Sequence, residues 1–279
     1  MSAGPGPTHP QAAVSSRHNP RFKAAAALRE ARERQRRSLT LVDGAREIGR
    51  ALDAGRRPAE AWVASERLRS DAALALLPRL AAQTELVETT PELLARLAYG
   101  QRDEGIVAIF ALPSTALHDL GQRLPADPLI AVVEQVEKPG NLGALLRCAD
   151  GAGAHGVIVA DPVSDVWNPN AIRASLGTIF SLPLAVCSSS EALAFLRAHH
   201  VTVLAARVDG TQEYTSVDLT GPVALVVGAE ANGLSQAWSG PDVDTVRIPM
   251  RGLADSLNVS ASAAVLLYEA LRQRGTRGS

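Results

Sequence analysis

Short apolar runs alternate with segments of helical period along most of this chain. Ser38–Val42 (SLTLV) has the length and branched content of a strand. The next stretch, GAREIGRALDAG, places Ala45, Ile48, Ala51 and Leu52 on one helical stripe. AEAWVAS (59–65) and TELVETT (84–90) read as further strands, with DAALALLPRLAAQ (71–83) as the helix between them. Thr90 and Pro91 stand as N-cap and first residue of a helix in PELLARLAYG, and GIVAIF (Gly105–Phe110) closes the unit. Strands alternating with helices predict a small α/β layer structure. The following ALPSTALHDLGQRLPADP has three prolines and little periodicity, and reads as a linker.

A second unit opens with LIAVVEQV (Leu129–Val136), a near-continuous apolar run of the kind buried on both faces of a parallel sheet. In KPGNLGALLRCAD, Leu142, Leu145, Leu146 and Ala149 form a helical stripe and Asn141 is a suitable N-cap. GVIVAD, LPLAV, VTVLAAR, PVALVVG and DTVRIPM are five more strands. NPNAIRASLGTIF is a loop leading into a short helix, and SSSEALAFLRAHH a serine-capped one. SLNVSASAAVLLYEALRQR is the last helix; it is apolar nearly all round from Ala261 to Leu271, which predicts burial on several sides. Six strands with helices between them make an open parallel α/β domain. The expected divisions are a disordered tail over 1–16, a basic segment and small α/β domain over 17–110, a linker over 111–127, and the parallel-sheet domain over 128–279.

Composition adds few constraints. Apolar residues make up 46% of the chain and aromatics 4%, so the core rests on Ala, Val, Leu and Ile. The net charge of −1 does not mark a polyanion binder, but the distribution is uneven. Eight Lys or Arg lie between Arg17 and Arg37 against Glu30 and Glu33, an excess suited to a phosphate backbone or simply to a solvated helix face. Cys148 and Cys187 give no disulfide framework, and the six histidines have no metal-ligand spacing, so no metal is expected. The first twenty residues lack the apolar core of a signal peptide, and no run is long enough to span a bilayer. A soluble, cytoplasmic protein is the expectation.

GAGAHG (Gly151–Gly156) spells the G-x-G-x-x-G of dinucleotide-binding loops. That fingerprint needs a strand before it and a helix after it. Here a helix precedes and a strand follows, so the stretch reads as a helix stop, with Gly151 or Gly153 left-handed. A nicotinamide oxidoreductase loses its main support. A serine hydrolase fares no better, since GLSQA lacks the G-x-S-x-G elbow.

The strand–loop–helix junctions lie elsewhere. VVEQVEKPGNLGALLR offers a bare helix start at Asn141 and Gly143 with Arg147 one turn on, which serves either as an oxyanion site or as an ordinary capped helix. LVVGAEANGLS carries Gly228 and Glu230, and IPMRGLADSLNVS carries Ser256 and Asn258. All three follow strand ends, where open α/β sheets bind ligands.

Together these stretches resemble the SPOUT superfamily, in particular the SpoU/TrmH-type RNA ribose 2′-O-methyltransferases. NLGALLRCA is similar to the family's first motif, VVGAEANGLS to its second, and IPMRGLADSLNVSASAAVLLYEALRQ to its third. The likeness runs from Leu129 to the C-terminus, with Cys148 where Thr is more usual. Ser38–Phe110 also resembles the L30e-like substrate-binding domain of ribosomal RNA members.

The resemblance implies a C-terminal parallel-sheet domain tied in a deep trefoil knot, an exception to the rule against knots. It implies S-adenosyl-L-methionine bound by Ala205, Ala206, Gly228, Glu230, Ile248, Leu257 and Val259. Arg147, Asn141, Glu230, Ser256 and Asn258 would form the catalytic set. Arg17, Arg21, Lys23, Arg36, Arg37 and Arg173 would contact RNA. A homodimer is implied, and structured RNA as substrate: 23S ribosomal RNA first, in housekeeping or antibiotic resistance, then transfer RNA. A relative that binds RNA without catalysis is the remaining alternative, and the intact motif residues argue against it.

Overall fold

The computed structural model describes residues 12–99, 104–228 and 233–275. They divide into two compact units, one holding the residues up to Pro113 together with Trp167–Ser181, the other holding Ser114–Val166 and Leu182 onward.

The first unit contains β1 (Ala12–Val14), α1 (Pro20–Ala27), α2 (Ala31–Arg37), β2 (Leu39–Asp43), α3 (Ala45–Asp53), β3 (Pro58–Val63), α4 (Asp71–Ala81), β4 (Leu86–Thr89), α5 (Pro91–Leu97) and β5 (Ile106–Ala111). Its mixed sheet has the order β1-β4-β3-β5-β2. Thr90 caps α5 by accepting from the Leu93 amide at 3.4 Å, with Pro91 in the first turn. Ala12–Val14 corrects the expected tail: these residues pair parallel with β4, and Val14 is buried among Phe22, Leu41 and Trp62. Three residues added to a sheet edge carry no periodicity from which a strand can be read.

A second correction concerns Trp167–Ser181, which the sequence assigns to the later domain. Pro169–Ala174 forms a short helix, α8, and Trp167 and Phe180 stack with Phe110 of β5 at centroid distances near 6 Å (Trp167–Phe180 6.0 Å, Phe110–Phe180 5.8 Å). The Trp167 carbonyl accepts from Thr40 Oγ1 at 3.2 Å, and the Leu176 carbonyl from Arg50 at 2.8 Å. Gly177, at φ +84°, lies so close to α3 that a Cβ would stand 3.1 Å from the Glu47 Cα. Burial of two aromatic rings, rather than sequence order, decides where this segment packs.

In the second unit the elements after α6 (Leu117–Gly121) are β6 (Leu129–Glu134), α7 (Pro139–Gly151), β7 (Gly156–Ala160), β8 (Leu184–Cys187), α9 (Ser189–Ala198), β9 (Thr202–Ala206), β10 (Gln212–Glu213), β11 (Val223–Val227), β12 (Val243–Arg247) and α10 (Val259–Gly275). The seven strands form one all-parallel sheet, ordered β10-β12-β9-β11-β6-β7-β8. Of its interior strands β11, β6 and β7 are buried throughout, as their unbroken apolar runs require, while β9 exposes Thr202 and β12 exposes Asp244 and Arg247. GAGAHG is the turn from α7 into β7, with Gly153 at φ +71°.

Three expectations change here. The supposed linker contains α6, whose Leu120 is buried in the core of this unit beside Ile130, Ile158 and Leu196. Asn141 is not the cap of α7: Lys138 holds that position and Pro139 opens the helix, its fixed φ suiting the first turn. The last helix is not buried all round, since Tyr268 and Leu271 stay exposed while Leu266, Leu267 and Ala270 face inward.

Because Leu120 fills a core position, Leu120→Ala should cost about 2–5 kcal/mol in urea denaturation. A loss indistinguishable from zero would return the 111–127 stretch to the status of a linker.

Candidate active site

Residues at the carboxyl ends of β9, β11 and β12 converge because those strands are neighbours in register. Ala205 pairs with Val226 across β9 and β11, and Ala206 with Val246 across β9 and β12. The loops that leave these ends enclose a pocket of about 380 Å³, within the usual range for small-molecule sites. Its wall contains Ala206, Gly228, Ile248, Leu257 and Val259 from the sequence-derived cofactor set, and Ser256 from the catalytic set. Ala205 does not line it; its side chain is fully buried within the sheet. Glu230 lies outside the described residues.

Gly228 is a point of close backbone approach. A Cβ there would lie 2.4 Å from the Gly233 carbonyl carbon and 2.6 Å from the Leu234 nitrogen, so no larger residue fits without moving the chain.

Two arms of the site meet at Asn258. Its side-chain oxygen accepts from the Ser260 amide at 3.0 Å and the Ser260 hydroxyl at 2.6 Å, which caps the start of α10. Its amide nitrogen donates to Asn141 Oδ1 at 3.4 Å, linking α10 to the first turn of α7. One residue thereby ends the pocket loop, starts the last helix and touches the helix that carries Arg147. Arg147 is exposed on α7 and makes no hydrogen bond or ion pair among the described residues. An exposed guanidinium with no partner of its own can receive an anion or an oxyanion.

The sequence reading did not single out Arg207, Val208, Asp209, Leu234, Met250, Asp255 or Ser262 as site residues, yet all line the pocket. Arg207 Nε donates to Asp209 at 3.1 Å. Arg207–Asp209 directly follow β9, and that position at a strand end was the available signal.

The residues assigned to RNA separate into two groups. Arg21 is held by Glu60 and, at 2.7 Å, by Glu85. Arg173 belongs to the first unit, where it donates to the Tyr99 carbonyl and lies 3.9 Å from Asp43. Burial pushes the Asp43 carboxyl above its ordinary range, while the Tyr99 amide and then Arg173 pull it back. Arg37 donates to the Ala24 carbonyl, and Arg36 pairs with Glu33 at 2.7 Å on the surface. Arg17 and Lys23 are exposed.

No group of three or more potential metal ligands gathers among the described residues, and no described helix is long and apolar enough to cross a membrane. Burial raises the pKa of both thiols: Cys148 upward, and Cys187 to about 11, with Glu191 and Asp161 adding to the effect.

The architecture is that of an open parallel-sheet enzyme domain with a ligand pocket at the strand carboxyl ends, joined to a smaller mixed-sheet unit. Residues 128–268 match the SpoU rRNA Methylase family and residues 19–108 the MRM3-like substrate binding domain. This chain belongs to the SpoU rRNA methylase family. It is 35% identical to the 23S rRNA (uridine(2479)-2′-O)-methyltransferase of Streptomyces viridochromogenes over 98% of this chain and 97% of that protein. It is also 35% identical to the 23S rRNA (guanosine-2′-O-)-methyltransferase RlmB of Ralstonia nicotianae, over 70% of this chain and 79% of that one. Among solved structures, the SpoU methyltransferase AviRb from Streptomyces viridochromogenes, in complex with AdoMet, superposes with a TM-score of 0.84 at 33% identity, covering 93% of this chain and 99% of that one.

With its pKa raised from 9.0 to about 11, Cys187 should have a thiolate fraction about 100-fold below that of a free cysteine at pH 8, and alkylate correspondingly slowly. Labelling of Cys187 by iodoacetamide at the rate of a free thiol would contradict that burial.

Proposed function

We propose that this protein is an S-adenosylmethionine-dependent RNA ribose 2′-O-methyltransferase acting on 23S ribosomal RNA. The observation that carries the reading is the meeting of Asn141 and Asn258, which joins the helix of Arg147 to the third-motif loop, while residues of the second and third motifs line the pocket. The relatives that act on 23S ribosomal RNA, and the AdoMet-bound neighbour, support the same assignment.

The pocket suits the methyl donor. Val208, Leu234, Ile248 and Leu257 offer apolar surface to a purine, and Asp209 and Asp255 place carboxylates where a cationic ligand gains from them. When bound, S-adenosylmethionine supplies an electrophilic methyl group on a sulfonium. The chain's residues must then align a ribose hydroxyl in line with that methyl and manage its proton. A guanidinium is a poor base, so the part of Arg147 is to stabilise the developing 2′-oxyanion or to clamp the adjoining phosphate. Asn141 and Asn258 orient the nucleotide and Arg147, and Ser256 lines the pocket beside them. Glu230 completes the proposed set.

The first unit is the RNA-holding module. With Arg21, Arg36 and Arg173 beside carboxylates, Arg17, Lys23 and Arg37 are the cations of the proposed set best placed to meet phosphate. A homodimer is part of the same proposal, supported by α10, where Tyr268 and Leu271 remain exposed one turn apart. The trefoil knot belongs to the same proposal. At Gly210 a Cβ would stand 2.5 Å from the Val246 carbonyl carbon, so two segments distant in sequence come into backbone contact there, an approach that supports the threaded reading. A cytoplasmic location is part of the same proposal, supported by the relatives that act on 23S ribosomal RNA.

Arg147→Ala should lower methyl transfer to 23S ribosomal RNA by about 100-fold or more, while the Kd for S-adenosylmethionine measured by calorimetry stays within about twofold. Turnover near that of the unaltered protein would remove Arg147 from the catalytic set.

A further inference from the structure

Glu134 ends β6 and is completely buried. A carboxylate in such a place is costly unless its oxygens are satisfied, and replacing it with an apolar side chain of similar volume is often stabilising. Its hydrogen bonds are short and converge from two directions. Oε1 accepts from the Ser235 hydroxyl at 2.6 Å and lies 2.6 Å from the Ser189 hydroxyl, while Oε2 accepts from the Ser235 amide at 2.7 Å. Ser189 opens α9 and also contacts Asp161. Ser235 directly follows Gly233 and Leu234, which line the pocket, and precedes a single 3-10 turn that seats the buried Trp238.

We infer that Glu134 is a positioning residue for the reaction: through Ser235, its buried carboxylate fixes Gly233 and Leu234 in the pocket wall. Their backbone faces Gly228 at a separation that leaves no space for a Cβ, so a small displacement of Ser235 alters the pocket directly. A carboxylate is suited to this task because it accepts from a backbone amide and a hydroxyl of the same residue at once. Glutamine can keep the bond from the Ser235 amide, but its NH2 would then face the Ser235 and Ser189 hydroxyls as a donor, so the two charge-assisted bonds that those hydroxyls give the carboxylate are lost. Ser189 shares the carboxylate but holds only α9, so it separates a positioning role from general support of the core.

The inference rests on S-adenosylmethionine occupying this pocket, and the test keeps the two ideas apart. Calorimetry with S-adenosylmethionine on the full chain should give a Kd raised about tenfold in Glu134→Gln and several-fold in Ser235→Ala, and unchanged in Ser189→Ala. The double variant Glu134→Gln/Ser235→Ala should bind no more weakly than Glu134→Gln alone, because both changes break one connection. With saturating cofactor, kcat should recover in Ser235→Ala while KM for S-adenosylmethionine stays high. An unchanged Kd in folded Glu134→Gln, an equal rise in Ser189→Ala, or additive effects in the double variant would each overturn the role. If Glu134→Gln does not fold, Ser235→Ala decides alone, and an unaltered Kd there rejects it. Failure of the unaltered protein to bind S-adenosylmethionine would instead reject the cofactor assignment.

Discussion

The pairing of β11 between β9 and β6 is the constraint from which the site follows. β11 is the sixth of the seven strands in chain order, yet it lies inside the sheet, with Val226 beside Ala205 and Val227 beside Val133. That insertion sets the carboxyl ends of β6, β9 and β11 side by side, and β12 joins them along the free edge of β9. Each strand end then delivers a different part: α7 from β6, the Arg207–Asp209 stretch from β9, Gly228 from β11, and the loop to α10 from β12. β6 and β11 are apolar and buried on both faces, which confines them to the inside of the sheet.

Asn258 turns this arrangement into a connected site. Capping α10 with its oxygen leaves its amide nitrogen for Asn141, so the start of the last helix and the start of α7 are set by one side chain. The pocket loop from Met250 to Asn258 is otherwise exposed, and without the cap little would define where it ends. The opposite wall is set by glycine. At Gly228 and Gly210 the chain passes its neighbours at distances that exclude a side chain, which converts a sequence preference for glycine into a geometric requirement.

Much of this was legible before any coordinates. Continuous apolar runs identify parallel strands, Thr90-Pro91 identifies the start of α5, and the order helix–glycine–strand identifies GAGAHG as a turn. The three strand-end junctions point to one edge of one sheet; residues of the second and third line the pocket there, while Asn141 of the first meets it through Asn258 and does not line it. What was not legible has physical causes. β1 is too short to have a period. Trp167 and Phe180 follow their aromatic partner Phe110 in β5 rather than their neighbours in sequence. Asn141 resembles a cap in the sequence, but the proline two residues earlier begins the helix first. Glu134 is a lone charge inside an apolar run, and only the positions of Ser189 and Ser235 reveal what it holds. The set Arg17, Arg21, Lys23, Arg36, Arg37 and Arg173 looks uniform as text, whereas Arg21, Arg36 and Arg173 already have carboxylates beside them.

The central claim is that one pocket at the ends of β9, β11 and β12 holds the methyl donor next to Asn141, Asn258 and Arg147. A crystal structure of the full chain with S-adenosylmethionine tests it most directly. The account predicts the ligand between Ala206, Gly228, Ile248 and Leu257, with its sulfonium methyl directed toward the Asn141–Asn258 pair. Density for the ligand at any other place on the chain, with this pocket holding only solvent, would contradict it.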